Sequence, residues 1–446
     1  MLLIIPHLDC NIFCYYCYEK RYRQKNKTEV KYNLATILSG MERLRKIHPE
    51  MCLHGGEPLM IPKEDVRSIL LKIKELTGRS SIQTNGTLID DDFIKIFKEC
   101  QTNVGLSYDG PGKLSEYRFH RLKEDPEIDK KITKMLKEGI NISMITVITK
   151  ANAGTNERLE KLKKYLLKLD KLKISGRLNP CGGAPECELS DERRKEVYLD
   201  LANFCLQNNL KWSPFTDIIN ALQGKSRVCT FMGCDPFCTP SAAEMLDDGQ
   251  LTSCMRTNQE YILLRHPVKY ETRHEILYQT PQEWGGCQGC QYWQACYGGC
   301  PTMAINNDWR NKTYLCSLWK TLFAFYEKVL RYCDVRVLPG DNLCKIEKKT
   351  PQQERSSEYG KQVEHQDHTD DCHNDVAPSE CKQTDFEHGD SEHGDQIEHQ
   401  NHTDDSHNDV AGSSKYEHGD SEHGDSEHGD SEHGDWADHG DSDQQS

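Results

Sequence analysis

The thiols constrain this chain most: it holds 21 cysteines in 446 residues, and they are grouped rather than scattered. Cys10, Cys14 and Cys17 form CxxxCxxC just after the first apolar run, and Cys287, Cys290, Cys296 and Cys300 crowd a later segment between Cys254 and Cys316. In a long chain with no secretory signal such arrays bind metal more readily than they form disulfides. Residues 1–6 are apolar but far too short for a signal peptide. No stretch approaches the ~20 apolar residues that span a bilayer. A cytoplasmic protein of a low-oxygen organism is expected, with neither a membrane nor a nucleic-acid partner.

Charge divides the chain in two. After Thr350 stand 28 acidic and 4 basic residues, so the net −15 of the whole leaves the first 350 residues near +9. In the acidic part EHGDS recurs as a five-residue unit, and residues 364–377 return with small changes as 398–411. Units this polar have no face to bury against one another, so residues 346–446 are expected to form a disordered tail rather than a solenoid. The tail also holds 13 of the 19 histidines. Imidazoles beside carboxylates suit nickel, zinc or copper, so metal buffering, a substrate-like segment acting in cis and an inert solvated tail all stay open.

Ahead of the tail, short apolar runs alternate with helix-period segments. Strands are expected at residues 2–5, 51–54, 81–84, 104–108, 140–149 and 173–178, each followed by a helical pattern that ends, for the sixth, at 190–208. Six βα units in a row specify an α/β fold with a parallel sheet, open or closed into part of a barrel. Residues 1–210 are assigned to this partial (β/α)6 TIM-like barrel. Residues 211–345, where periodicity fades and cysteines thicken, are assigned to a smaller domain organised by metal. Functional groups in βα folds gather at the C-terminal strand ends, and the polar motifs fall there.

CxxxCxxC lies in the first such loop. Three thiolates can hold three irons of a [4Fe–4S] cube and leave the fourth open to a ligand, although a zinc site is the alternative. The second strand runs into His54-Gly55-Gly56-Glu57-Pro58, where paired glycines admit close backbone approach and a carboxylate can meet an ammonium. Gln83-Thr84-Asn85-Gly86 and Ser107-Tyr108-Asp109-Gly110 end the third and fourth strands. Asn85 and Asp109 could equally be turn formers before glycine. With CNIFCYYC and GGEP in this order, the chain resembles the radical S-adenosylmethionine (SAM) superfamily. That resemblance implies that the open iron chelates SAM, that Tyr16 lies against adenine, and that Gly55, Gly56, Glu57 and Pro58 form the element binding the methionine amino group. It also implies that Asn85, Ser107 and Asp109 lie where the ribose and carboxylate would be. Reductive cleavage of SAM would then give a 5′-deoxyadenosyl radical that abstracts hydrogen from a substrate.

The later array, Cys287-x2-Cys290-x5-Cys296-x3-Cys300 with Gly249-x4-Cys254 before it and Cys316 after it, resembles the SPASM domain of peptide-modifying radical SAM enzymes, which binds two auxiliary clusters. Carried across by motif, one cluster takes Cys238, Cys254 and Cys300 with Cys234 or Cys229. The other takes Cys287, Cys290 and Cys296 with Cys316, or Cys333 in its place. Two zinc sites of four thiolates each are the alternative. Cys52, Cys100, Cys181, Cys187, Cys205 and Cys344 fit no motif and read as packing residues, although Cys181 and Cys187 face the expected mouth.

The resemblance implies a peptide maturase, installing for example a crosslink, with a peptide or protein substrate and an electron donor such as flavodoxin or ferredoxin. Many relatives carry a leader-binding domain before the first cluster, and the few residues ahead of Cys10 leave no room for one, so a separate recognition protein is expected. Sulfatase maturation is the runner-up, but Met255 stands where those enzymes place an Asp base. Cofactor biosynthesis and a non-catalytic iron–sulfur or metal-handling role are the further alternatives. Asp109, Tyr108 and Arg118 lie near the mouth, yet no catalytic acid or base can be named, and Arg118 reads equally as one half of a surface ion pair.

Overall fold

The computed structural model describes residues 1–19, 32–225, 229–236, 242–254, 256 and 272–338. Cys238, Met255, Cys344 and the acidic tail lie outside them.

Six parallel strands form the centre: β1 (Leu2–Ile4), β2 (Met51–Leu53), β3 (Ser80–Thr84), β4 (Thr102–Ser107), β5 (Ile142–Ile148) and β6 (Gly176–Pro180). They lie side by side in chain order, as consecutive elements usually do. Register pairs Leu53 with Ile82, Ile82 with Val104 and Leu106 with Met144, so one face is a buried aliphatic layer under the helices. On the alternate face Gln83 Nε2 donates to Ser107 Oγ at 2.9 Å, which gives the inner side of the sheet its polar lining.

The intervening helices are α1 (Leu34–Leu44), α2 (Lys63–Thr77), α3 (Asp91–Glu99), α4 (Ile128–Lys137), α5 (Asn156–Lys171) and α6 (Asp191–Gln207). Their starts are set by side chains that accept otherwise unpaired backbone N–H groups: Asn33, Asp90, Thr155 and Ser190 cap α1, α3, α5 and α6. Gly78, with φ +86°, closes α2 in the left-handed conformation.

The sheet runs on at both edges. β7 (Trp212–Ser213) adds beside β6 and leads into α7 (Phe215–Leu222). At the other edge the hairpin β8 (Ala243–Met245) and β9 (Leu251–Ser253) joins β1, β8 parallel to it and β9 antiparallel to β8. The sheet is therefore open and has nine strands, three more than the six βα units. Periodicity also does not fade throughout the cysteine-rich segment. After α8 (Arg273–Gln279), the 17-residue α9 (Cys316–Tyr332) buries Leu318, Trp319, Leu322, Phe323, Tyr326 and Leu330, and it packs on α6 and α7. No helix among the described residues is long and apolar enough to cross a membrane.

Candidate functional site

The CxxxCxxC loop leaves β1 and is held from three strand ends. From β2, Gly56 N–H donates to His7 O at 3.1 Å and Glu57 N–H to Asp9 O at 2.8 Å. A Cβ on Gly56 would stand 2.0 Å from the carbonyl oxygen of Asp9 and 2.3 Å from that of Leu8, and Gly55 has φ +138°. Both glycines are thus required by the close approach of two backbones. From β3, Asn85 Nδ2 donates to Asn11 Oδ1 at 2.9 Å and reaches Cys10 Sγ at 3.6 Å, while Asn11 in turn donates to Thr87 Oγ1 at 2.7 Å. Asn85 therefore grips the loop that carries the first thiol. The third hold comes from β4, through Asp109.

Glu57 is 0% exposed. Its carboxylate accepts from Thr84 Oγ1 at 2.6 Å, from Asn85 N–H at 2.7 Å and from Leu59 N–H at 3.1 Å. The last bond caps the single turn begun by Pro58. Glu57 thus locks the end of β2 to the end of β3. Ser107, half-buried, takes the hydrogen bond from Gln83.

Asp109, 1% exposed, accepts from Arg118 Nη2 at 2.9 Å, from Val147 N–H at 2.8 Å and from the Tyr16 hydroxyl. Arg118 is 5% exposed and lies 5.5 Å from the Tyr16 ring centroid, so it belongs to the site and not to the surface. Burial pushes the Cys14 thiol up to about 12, against the pull of the Arg118 guanidinium. A buried thiol at that value needs a bound cation to become a thiolate. Cys10 and Cys17 lie within electrostatic reach of it, so one loop brings the three thiols near one another, as a thiolate-bound cluster requires.

The later cysteines form a second group. Cys287, Cys290, Cys296 and Cys316 line one small cavity walled by Trp293, Trp319 and Phe323. Burial first, then the neighbouring thiols, push Cys287 up to about 12 and Cys296 up as well, while Lys312 pulls Cys287 and Cys316 the other way. Four thiols around one cavity suit a cube held by their thiolates. Among the described residues no three His, Cys, Asp or Glu side chains close on a single ion. Cys333 is exposed at the far end of α9 and is not on this wall.

A third group joins Cys254, just after β9, to Cys300 and Cys229, all three acting on Arg256. Cys234 also lies near Cys300, the two sharing Arg273 with Cys287. Arg273 was not legible in the sequence. It is 1% exposed and donates to the carbonyls of Trp309 at 2.6 Å and Asn311 at 3.0 Å, while its N–H donates to Asp235 at 2.7 Å. One arginine in a weakly periodic stretch gives no sign of this. Cys100, Cys181, Cys187 and Cys205 are buried as packing residues would be, and Cys52 partly so.

Residues 4–162 match the model of the radical SAM superfamily. The chain is 28% identical over 185 residues to the cysteine-type anaerobic sulfatase-maturating enzyme of Clostridium novyi, covering 38% of this chain and 48% of that enzyme, about half its length. It is 24% identical over 378 residues to the serine-type anaerobic sulfatase-maturating enzyme of Bacteroides thetaiotaomicron, covering 73% of this chain and 88% of that one. Its fold matches a solved structure described as native anSMEcpe with bound AdoMet, at TM-score 0.57 and 21% identity, over 75% of this chain and 99% of that chain.

Proposed function

We propose that this chain, which carries a radical SAM domain over residues 4–162, is a maturase that modifies a peptide. The observation that carries the reading is the loop of Cys10, Cys14 and Cys17, held from three strand ends by Gly56 and Glu57, by Asn85 and by Asp109. When bound, SAM and a reduced cluster would supply a 5′-deoxyadenosyl radical able to take hydrogen from an unactivated carbon. The protein's own residues do the positioning. Asp109 fixes the Tyr16 ring through its hydroxyl and neutralises Arg118 beside it. Glu57 keeps two strand ends at one height, and the polar inner face from Gln83 to Ser107 offers hydrogen bonds to a polar cofactor. The backbone at Gly55 and Gly56 leaves room against the loop that no side chain could share.

In this reading residues 211–345 hold two auxiliary clusters, one on Cys287, Cys290, Cys296 and Cys316, the other on Cys238, Cys254 and Cys300 with Cys234 or Cys229 as the fourth thiol. Such clusters would tie β9 to the segments around α8 and α9 and add to the stability of that region. An electron donor of the flavodoxin or ferredoxin type remains part of the proposal.

Sulfatase maturation is the second reading, favoured by the two sulfatase-maturating relatives and disfavoured by Met255. The test is anaerobic: reconstituted protein, SAM and reductant are presented with candidate precursor peptides and with a sulfatase-type peptide, and products are read by mass spectrometry. A precursor that loses hydrogens in step with 5′-deoxyadenosine release is expected. An aldehyde on the sulfatase-type peptide would replace this reading with the second.

A further inference from the structure

We propose that the indole N–H of Trp319 donates a hydrogen bond to a sulfur of the cluster on Cys287, Cys290, Cys296 and Cys316 and so raises its reduction potential; the cluster itself rests on the function proposed above. Residues three, four and seven places apart share one face of a helix. From its first residue α9 therefore turns Cys316, Trp319, Lys320 and Phe323 to one side, and all four line the cavity that the other three thiols also line. A ligand thiol and the indole thus reach the same space from one turn of one helix.

The independent pointer to a bound group is the N–H itself. Trp319 is 3% exposed, and its indole nitrogen is buried with no hydrogen-bond partner among the described residues. Buried donors are nearly always paired. Phe231 packs edge-to-face on the indole, with ring centroids 5.3 Å apart, and holds it in place. Other polar side chains around the cavity are engaged elsewhere. Lys312 Nζ donates to the Gln282 carbonyl at 2.5 Å and Lys320 Nζ to Gln282 Oε1 at 2.6 Å, while the Tyr292 hydroxyl donates to Glu327 at 3.0 Å.

The lining selects the acceptor. Thiols and aromatic rings surround the indole, and among the described residues that line the cavity there is no carboxylate. Sulfur is the acceptor such a wall offers once its thiols are thiolates on iron. A hydrogen bond to a cluster sulfur favours the reduced state, which carries one more negative charge. The effect is strongest where water is scarce and the local dielectric low. Phenylalanine would fill the same wall, so the N–H is what the indole adds. Trp319 acts through the cluster, as a positioning residue.

The test compares the full native chain with Trp319→Phe and with Trp319→benzothienylalanine, in which sulfur replaces the N–H and the bicyclic ring is kept. All are reconstituted anaerobically with iron and sulfide and titrated electrochemically, the reduced clusters being read by electron paramagnetic resonance. The signal of this cavity is the one lost, with about four irons, in Cys290→Ala combined with Cys296→Ala. Its midpoint potential is expected to fall in both Trp319 variants by about 59 mV, a tenfold shift in the reduction equilibrium, with iron per chain unchanged. An exchangeable proton coupled to that signal is expected by electron–nuclear double resonance in the native chain and in neither variant. An unchanged potential in the benzothienylalanine chain, or an unchanged proton coupling, would overturn the role of Trp319 with the cluster still in place. If the paired cysteine variant keeps all its irons, the cavity holds no cluster, and the reading of the four thiols fails with it.

Discussion

At Asp109 a single carboxylate holds Arg118, the Val147 amide and the Tyr16 hydroxyl, all in a place that water barely reaches. Removing one member of a buried ion pair leaves the other charge stranded, whereas removing both does not. Asp109→Asn and Arg118→Gln are therefore each expected to cost about 3–5 kcal/mol in denaturant unfolding. The double variant should cost clearly less than the sum; additive losses would show that the two charges do not depend on one another. The sequence placed Asp109 at a strand end but left Arg118 open to a surface reading, because nine positions of separation carry no information about depth. The one-turn helix Glu116–Phe119, which follows the β4 end, is what buries it. Glu57 is similar: its motif suggested a carboxylate awaiting an ammonium, and only the parallel register of β2 and β3 brings Thr84 and Asn85 to its oxygens.

Among the elements, the six central strands and their helices fall within a few residues of where periodicity put them. Parallel strands covered by helices read as apolar runs, and their helices begin at Asn33, Asp90, Thr155 and Ser190, residues whose side chains signal a start. The β8–β9 hairpin escaped because its short strands, AEM and LTS, mix polar with apolar residues and do not stand out as apolar runs; β8 exists by pairing with β1, and β9 by pairing with β8. The α9 pattern was present in the spacing of Leu318, Leu322 and Tyr326 but begins on a cysteine, within an array that drew a different reading. Gly56 brings the end of β2 into direct backbone contact with the thiol loop. Gly56→Ala forces a Cβ to 2.0 Å from a backbone oxygen, which no rotamer change can relieve. It is expected to cost more than about 3 kcal/mol and to strip iron from the first site. Gly78→Ala, with φ +86° but nothing within 4 Å, should cost only about 1 kcal/mol. Thermal unfolding and iron per chain check both, and equal effects would show that the loop is not held by that approach.

Across the described residues thiols gather in three places: the loop after β1, the cavity beside α9, and the region between β9 and Cys300. That cysteines crowd particular segments was legible from spacing; which of them belong together came only from the family resemblance. The arginine that binds the later segments to one another was not legible, since Arg273 acts through backbone carbonyls that no motif encodes. The central claim is that the first group holds a cluster with one iron open to SAM, and its most direct measurement compares the native chain with a Cys10, Cys14, Cys17→Ala triple variant, both reconstituted without air. The native chain should bind about twelve irons, three cubes, and release 5′-deoxyadenosine when given SAM and a reductant. The variant should keep about eight irons and release none. A native chain that takes up zinc in place of iron, or leaves SAM intact with its irons in place, would contradict the account.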